Sequence, residues 1–303
     1  MKKKIIVITG PTAVGKSKIG VEIAKEFSTE IISCDSVQVY KYLDIGSGKI
    51  SIDEMQGIKH HMIDIILPDE NYSLFDYKND AKKHIENIYL KNNIPIIIGG
   101  TGFYISSIIY DNDYIIEKKD DLYSNYLKKL SNEELFKILY EKDIGSYKKI
   151  NINNRKRIIR ALEFIQNTNI KFSDYNNEQS KKESPYEFYY IVLFDDREKL
   201  YNRINNRVDK MIEDGLIFEV EKLNKMGYDT RFKSMNSIGY LEINNYLRGI
   251  YSLEDSISLI KKNSRHYAKR QLTWFRREKN SIWINIDNKS TKQIVDEILK
   301  ILE

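Results

Sequence analysis

The chain has 303 residues, enough for one large domain or two ordinary ones, and its 41% hydrophobic and 31% charged residues are the balance of a soluble protein. A formal charge of +5 permits a polyanionic partner without demanding one, and the single cysteine, Cys34, excludes an intrachain disulfide or a cysteine-cluster zinc site. No apolar stretch approaches the roughly 20 residues of a membrane span, and the apolar part of the basic start is too short for a signal peptide, so no membrane partner and a cytoplasmic location are expected.

The first element is a strand over Lys4–Thr9. It runs directly into Gly10, Pro11, Thr12, Ala13, Val14, Gly15, Lys16 and Ser17, a full match to the phosphate-cradling pattern G-x-x-x-x-G-K-[ST]. Glycines let successive backbone N–H groups turn inward on an anion, Lys16 adds a mobile charge, and Ser17 offers a hydroxyl to Mg²⁺. A helix over Ser17–Phe27 follows, and its N-terminus favours negative charge. Strand, loop and helix in this order point to a phosphate or diphosphate site.

A second strand, Glu30–Cys34, leads into Asp35-Ser36-Val37-Gln38. In a parallel sheet Asp35 stands at the C-terminal edge beside the phosphate loop. It either holds Mg²⁺ through a water or caps the turn, or it acts as a general base. Ser36 and Gln38 are hydrogen-bonding groups of the kind that read a base edge, although ordinary loop solvation explains them as well. His60 and His61 are adjacent and would point opposite ways in an extended segment, which argues against a metal pair.

The third strand, Ile94–Ile98, ends in Gly99-Gly100-Thr101-Gly102. A nucleotide hydrolase would usually place an Asp there to organise Mg²⁺ and water, so its absence weakens that reading. These strands predict an α/β fold: a P-loop NTPase-like parallel sheet flanked by helices, with ligands at the strand C-termini. Residues 1–110 form its first part. Residues 111–187 show helical periodicity (Leu127, Leu130, Leu135, Ile138, Leu139; Ile158, Ile159, Leu162, Ile165) and read as a helical insertion domain, with 173–184 a loop or mobile segment. Residues 188–303 return to the core with strands at Phe188–Phe194 and Ser281–Ile286 and basic C-terminal helices.

Leu200, Ile204, Val208 and Met211 make the apolar stripe of a helix on which Arg203 and Arg207 share a face. Such a pair either clamps a diphosphate or forms a solvated basic face. Arg155-Lys156-Arg157-Ile-Ile-Arg160 opens a helix of the insertion. The stretch 261–279 is basic with Tyr267, Trp274 and Phe275 interleaved, a composition suited to a phosphate backbone with stacking, or to a helix with a buried aromatic seam.

Together these segments resemble the tRNA dimethylallyltransferases (the IPP transferase family). The resemblance runs nearly end to end, through Gly10-Pro-Thr-Ala-Val-Gly-Lys-Ser17, Asp35-Ser-Val-Gln-Val-Tyr40, Asp44-Ile-Gly46, His60-His-Met-Ile-Asp64 and Gly99-Gly-Thr-Gly-Phe-Tyr104. It continues in Arg157-Ile-Ile-Arg160-Ala-Leu-Glu163, Ile238-Gly-Tyr240 and Tyr267-Ala-Lys-Arg-Gln-Leu-Thr-Trp274. It departs at Ser47-Gly-Lys-Ile50, where Thr-Ala-Lys-Pro is usual, at Phe103 for Leu, and at Leu241 for Lys.

The resemblance implies transfer of a dimethylallyl group from dimethylallyl diphosphate to the exocyclic amine of the adenine at tRNA position 37, 3′ of the anticodon, with pyrophosphate leaving. It implies Mg²⁺ on Ser17, a diphosphate held by residues 10–17 and Arg203, and catalysis by Asp35 as base with Thr101 and Arg207. It further implies tRNA contacts from Asp35, Ser36, Val37, Gln38, Thr101, Lys156, Arg157, Ile158, Ile159, Arg160, Lys269 and Arg270, and a monomer acting on the anticodon stem-loop. The alternatives are a nucleoside or small-metabolite kinase, a transferase prenylating free adenine nucleotides, and a non-catalytic RNA-binding protein.

Overall fold

The computed structural model describes residues 2–113, 115 and 120–303. The chain divides into two units, Met1–Ile109 with Pro185–Glu303, and Tyr110–Ser184. The first unit opens with β1 (Lys3–Thr9), α1 (Lys16–Glu26), β2 (Ile31–Cys34), α2 (Ile52–Met55), β3 (His60–His61), α3 (Leu74–Leu90), β4 (Ile96–Gly99) and α4 (Gly102–Ile109). The second unit holds α5 (Asp121–Lys129), α6 (Asn132–Lys142), α7 (Ile144–Lys149), α8 (Arg155–Thr168) and α9 (Phe172–Gln179). The first unit resumes with β5 (Tyr186–Phe194), α10 (Arg197–Glu213), α11 (Leu216–Lys225), a 3₁₀ turn at Ser234–Asn236, α12 (Tyr240–Leu247), α13 (Leu253–Phe275), β6 (Ser281–Asn285) and α14 (Thr291–Leu302).

The six strands form one sheet in the order β3-β2-β4-β1-β5-β6, parallel at every pairing. Ile5, Ile6, Val7 and Ile8 of β1, Ile31 and Ile32 of β2, and Ile96 and Ile97 of β4 are buried without alternation. Such continuous burial belongs to a parallel sheet covered on both faces. Helix α1 packs with α14, and α3 with α4. Because all strands run one way, the turns after β1, β2, β4 and β5 gather at one edge. That edge carries Gly10, Asp35, Gly100 and Asp195. Among the described residues no helix is long and apolar enough to cross a membrane.

Capping boxes start several helices: Ser51 with Glu54, Ser73 with Asp76, Ser131 with Glu134 and Ser290 with Gln293. In the second unit Leu127, Leu135, Leu139, Ile158 and Leu162 form a separate core.

Four local expectations change. The fifth strand begins at Tyr186, immediately after Pro185, rather than at Phe188, because Tyr186 and Glu187 pair with Lys3 and Lys4. The histidine pair forms a short edge strand on β2 that two residues give no periodicity to reveal. The stretch read as a loop from Ser173 is helical to Gln179, because Phe172 and Tyr175 pack on Phe164 and the Asp143 carboxylate receives both the N–H (2.8 Å) and the hydroxyl (2.7 Å) of Ser173. The basic helix ends at Phe275, so Arg276, Arg277 and Lys279 lie beyond it.

Candidate active site

The loop between β1 and α1 bends through three left-handed positions, Gly10 at φ 150°, Ala13 at 65° and Gly15 at 94°. Only glycine fits at Gly10, where a Cβ would lie 2.3 Å from the Leu193 carbonyl oxygen. Lys16 Nζ donates to the Pro11 carbonyl at 2.8 Å. Burial, reinforced by Arg207 and opposed by Asp35, lowers the Lys16 amine to about 7.

The loop lines a cavity of about 840 Å³ together with Asp35, Gln38, Gly48, Lys49, Arg207, Tyr267 and Gln271. A second cavity of about 310 Å³ is lined by Ser36, Val37, Gly46, Val208, Ile238 and Arg270 among others. The two share Thr12, Asp35, Arg207 and Tyr267. The larger cavity, lined by the glycine-rich loop, and a smaller one, partly apolar, therefore meet at a carboxylate, a guanidinium and a phenol.

Asp35 is fixed by the turn it starts. Its Oδ1 accepts the N–H groups of Val37 (2.9 Å) and Gln38 (3.3 Å). Thr101 Oγ1 accepts the Ser36 N–H at 3.3 Å, and the Thr101 N–H donates to the Cys34 carbonyl at 3.1 Å. The turn after β4 thus braces the turn after β2, and Thr101 itself lines neither cavity. Gln38 is also engaged within the protein. Its Nε2 donates to the Gly48 carbonyl at 3.2 Å, and its Oε1 accepts from Ser33 at 3.4 Å.

The two arginines of α10 part company. Arg207 donates to Thr12 Oγ1 at 3.3 Å and to the Gly48 carbonyl at 3.1 Å. Gly48 sits at φ 57°, and a Cβ there would lie 1.5 Å from the Arg207 Nη2, so any larger residue would displace the guanidinium. Burial lowers the Arg207 pKa, with Asp35 and Glu54 opposing. Arg203 instead pairs with the buried Asp195 at 2.9 Å and stays half exposed outside both cavities. The structure brings Arg207, and not Arg203, to the phosphate loop. The reason is the competing carboxylate at the end of β5.

Ser17 is exposed and faces the first cavity from the start of α1. Mg²⁺ keeps several waters and takes one or two protein ligands besides phosphate oxygens, which suits a lone hydroxyl next to Lys16. Among the described residues no cluster of three His, Cys, Asp or Glu side chains offers an all-protein cage.

On α8, Lys156, Arg157 and Arg160 are exposed and Ile159 is half-buried. Ile158 is fully buried in the core of the second unit, which removes its side chain from the expected tRNA surface. On α13, Lys269 and Arg270 are exposed, and the Arg270 guanidinium lies over the Tyr267 ring, 5.6 Å from its centre.

Two site residues escape the sequence reading. Gln271 is buried on α13; its Oε1 accepts the Thr12 N–H (2.9 Å) and its Nε2 donates to the Gly100 carbonyl (2.9 Å), tying the phosphate loop to the β4 turn. Its signal is its spacing, since Ala268, Gln271 and Phe275 fall on one buried face and a polar side chain there is unusual. Tyr267, read as one of several interleaved aromatics, stands in the wall common to both cavities.

The family model described as IPP transferase matches residues 38–278. The full-length tRNA isopentenylpyrophosphate transferase from Bacillus halodurans is 39% identical, covers 99% of this chain and 96% of its own, and superposes with a TM-score of 0.77. The tRNA delta(2)-isopentenylpyrophosphate transferase from Staphylococcus epidermidis is 42% identical over 99% of both chains, with a TM-score of 0.74. A eukaryotic dimethylallyltransferase acting on tRNA is 27% identical over 99% of this chain and 79% of that one, with a TM-score of 0.85. With a family model spanning most of its length and bacterial relatives matched end to end, the chain belongs to the IPP transferase family.

Proposed function

We propose that this transferase moves a dimethylallyl group from dimethylallyl diphosphate to the exocyclic N6 of the adenine at tRNA position 37, releasing pyrophosphate. The observation that carries the reading is the meeting of the two cavities at Asp35 and Arg207. The diphosphate lies against the loop Gly10–Ser17, and the flipped adenine enters from the second cavity past Ser36 and Val37. The carbon–oxygen bond to the diphosphate breaks as the N6–carbon bond forms, and the N6 proton passes to the Asp35 carboxylate.

Charge develops on the leaving pyrophosphate. Lys16, Arg207 and the loop N–H groups meet it already oriented, which is electrostatic catalysis. Ser17 would hold Mg²⁺, which would supply further neutralisation of the leaving group's charge. Thr101 acts by holding the Ser36 turn, and Gln38 by bracing Gly48. Lys269 and Arg270 of α13, and Lys156, Arg157 and Arg160 of α8, supply the phosphate-backbone contacts to tRNA.

The test is an acceptor competition. Labelled dimethylallyl diphosphate and Mg²⁺ are offered with unmodified tRNA, AMP or ATP. Label in tRNA alone is expected. Label in AMP or ATP would point to a transferase for free nucleotides, and phosphoryl transfer without prenylation to a kinase.

A further inference from the structure

We infer that Glu219 is a positioning residue for the leaving-group arginine, acting through the loop 44–48; the inference rests on the diphosphate site proposed above. Glu219 sits on α11 and lines neither cavity. Its carboxylate accepts three consecutive backbone N–H groups, those of Asp44 (3.1 Å), Ile45 (2.8 Å) and Gly46 (3.1 Å). It also accepts the Tyr240 hydroxyl at 2.7 Å. Successive N–H groups converging on one point make a nest that binds an anion, and here the anion belongs to the chain itself.

What the nest holds is the wall of the site. Two residues beyond Gly46, the Gly48 carbonyl accepts from both Arg207 (3.1 Å) and Gln38 (3.2 Å). Ser47 lines both cavities. The fit from behind is close, because a Cβ at Gly46 would lie 2.5 Å from the Tyr240 ring. Buried Lys49 closes the loop from the other side by pairing with Asp44 (2.6 Å) and Asp64. The Asp44-Ile-Gly46 and Ile238-Gly-Tyr240 segments, far apart in sequence, are thus two halves of one anchor whose pivot is Glu219. Removing the carboxylate frees three N–H groups and lets the Gly48 carbonyl drift, so Arg207 loses the acceptor that aims it at Thr12.

The test is a double-mutant cycle read by pyrophosphate binding, without tRNA and without turnover. Glu219→Gln keeps the shape of the side chain but places an amide donor against N–H donors. If Glu219 acts through Arg207, E219Q weakens pyrophosphate about tenfold in the wild-type background and less than about twofold in the R207A background. Equal, additive losses in both backgrounds would overturn the inference. So would unchanged affinity in E219Q. Should E219Q melt below the assay temperature, Tyr240→Phe is carried through the same cycle, since it drops one donor and keeps the ring against Gly46. A wild-type protein that fails to bind pyrophosphate would instead sink the diphosphate site, an outcome distinct from additivity.

Discussion

Arg207 reaches across from α10 to the Thr12 hydroxyl at 3.3 Å, and so joins a helix of the second half of the sheet to the phosphate loop of the first strand. Thr12 is held from its other side by Gln271, which accepts its N–H at 2.9 Å. The loop is therefore set by two helices whose contacting residues follow Thr12 by 195 and 259 positions in the sequence. Its cationic partner is preorganised before any ligand arrives, which is what electrostatic stabilisation of a leaving group requires.

Arg207→Lys keeps a positive charge but cannot donate to both Thr12 and Gly48 in a planar fork. Turnover in the proposed transfer is expected to fall about 100-fold, while tRNA affinity changes less than about twofold. Steady-state kinetics alongside filter binding separates the two. Arg203→Ala, by contrast, removes the partner of Asp195 outside the cavities and is expected to lower thermal stability more than it changes affinity for diphosphate.

Lys16 would link the proposed diphosphate binding to protons. Its amine has fallen from 10.5 to about 7 through burial and the nearby Arg207. A bound diphosphate supplies the missing counter-charge and raises the pKa again. At about pH 8.5 binding should take up close to one proton, and affinity should fall as pH climbs above about 7. In the free protein the sign is opposite. The unfolded chain holds this proton up to its ordinary pKa while the folded chain releases it near 7, so Lys16 makes stability rise with pH across that window. Calorimetry in buffers of different ionisation enthalpy measures the uptake. Lys16→Arg, which stays charged throughout, should abolish it.

Lys269→Ala and Arg270→Ala on α13, and Lys156→Ala and Arg157→Ala on α8, each remove an exposed cation. Each should weaken tRNA binding and reduce the slope of log affinity against log salt by roughly one for a direct phosphate contact. Ile158→Ala should behave differently. It opens a cavity in the core of the second unit and should cost about 2–4 kcal/mol of that unit's stability, leaving the salt slope unchanged. Titrations at several salt concentrations with a parallel thermal melt distinguish the cases.

The parts of this site that local pattern specifies are readable from the residues. The loop 10–17 follows a strand and opens a helix, and Asp35 and Gly99–Thr101 end strands of the same sheet, so parallel pairing alone assembles them at one edge. What pattern does not specify is which long side chain reaches that edge. Arg203 and Arg207 are equivalent in helical spacing, and only the buried Asp195 at the end of β5 separates them. Glu219 looks like a surface residue of an ordinary helix, and the spacing of Gln271 places it on a buried face without naming its partners, until the backbone groups they bind, at Asp44–Gly46 and at Thr12 and Gly100, are brought to them by tertiary folding. Helix α9 is hidden for a similar reason, since its polar sequence is held by Phe164 of α8 and by Asp143 at the junction of α6 and α7.

In the proposed transfer the new carbon–nitrogen bond forms at Asp35, where the two cavities join. Its most direct test is the single-turnover rate of Asp35→Ala with tRNA and dimethylallyl diphosphate both saturating, beside the affinity for each. A rate loss of about 1,000-fold or more is expected, with tRNA and pyrophosphate affinities within about threefold of wild type. A near-normal single-turnover rate, with the loss confined to tRNA binding, would contradict it.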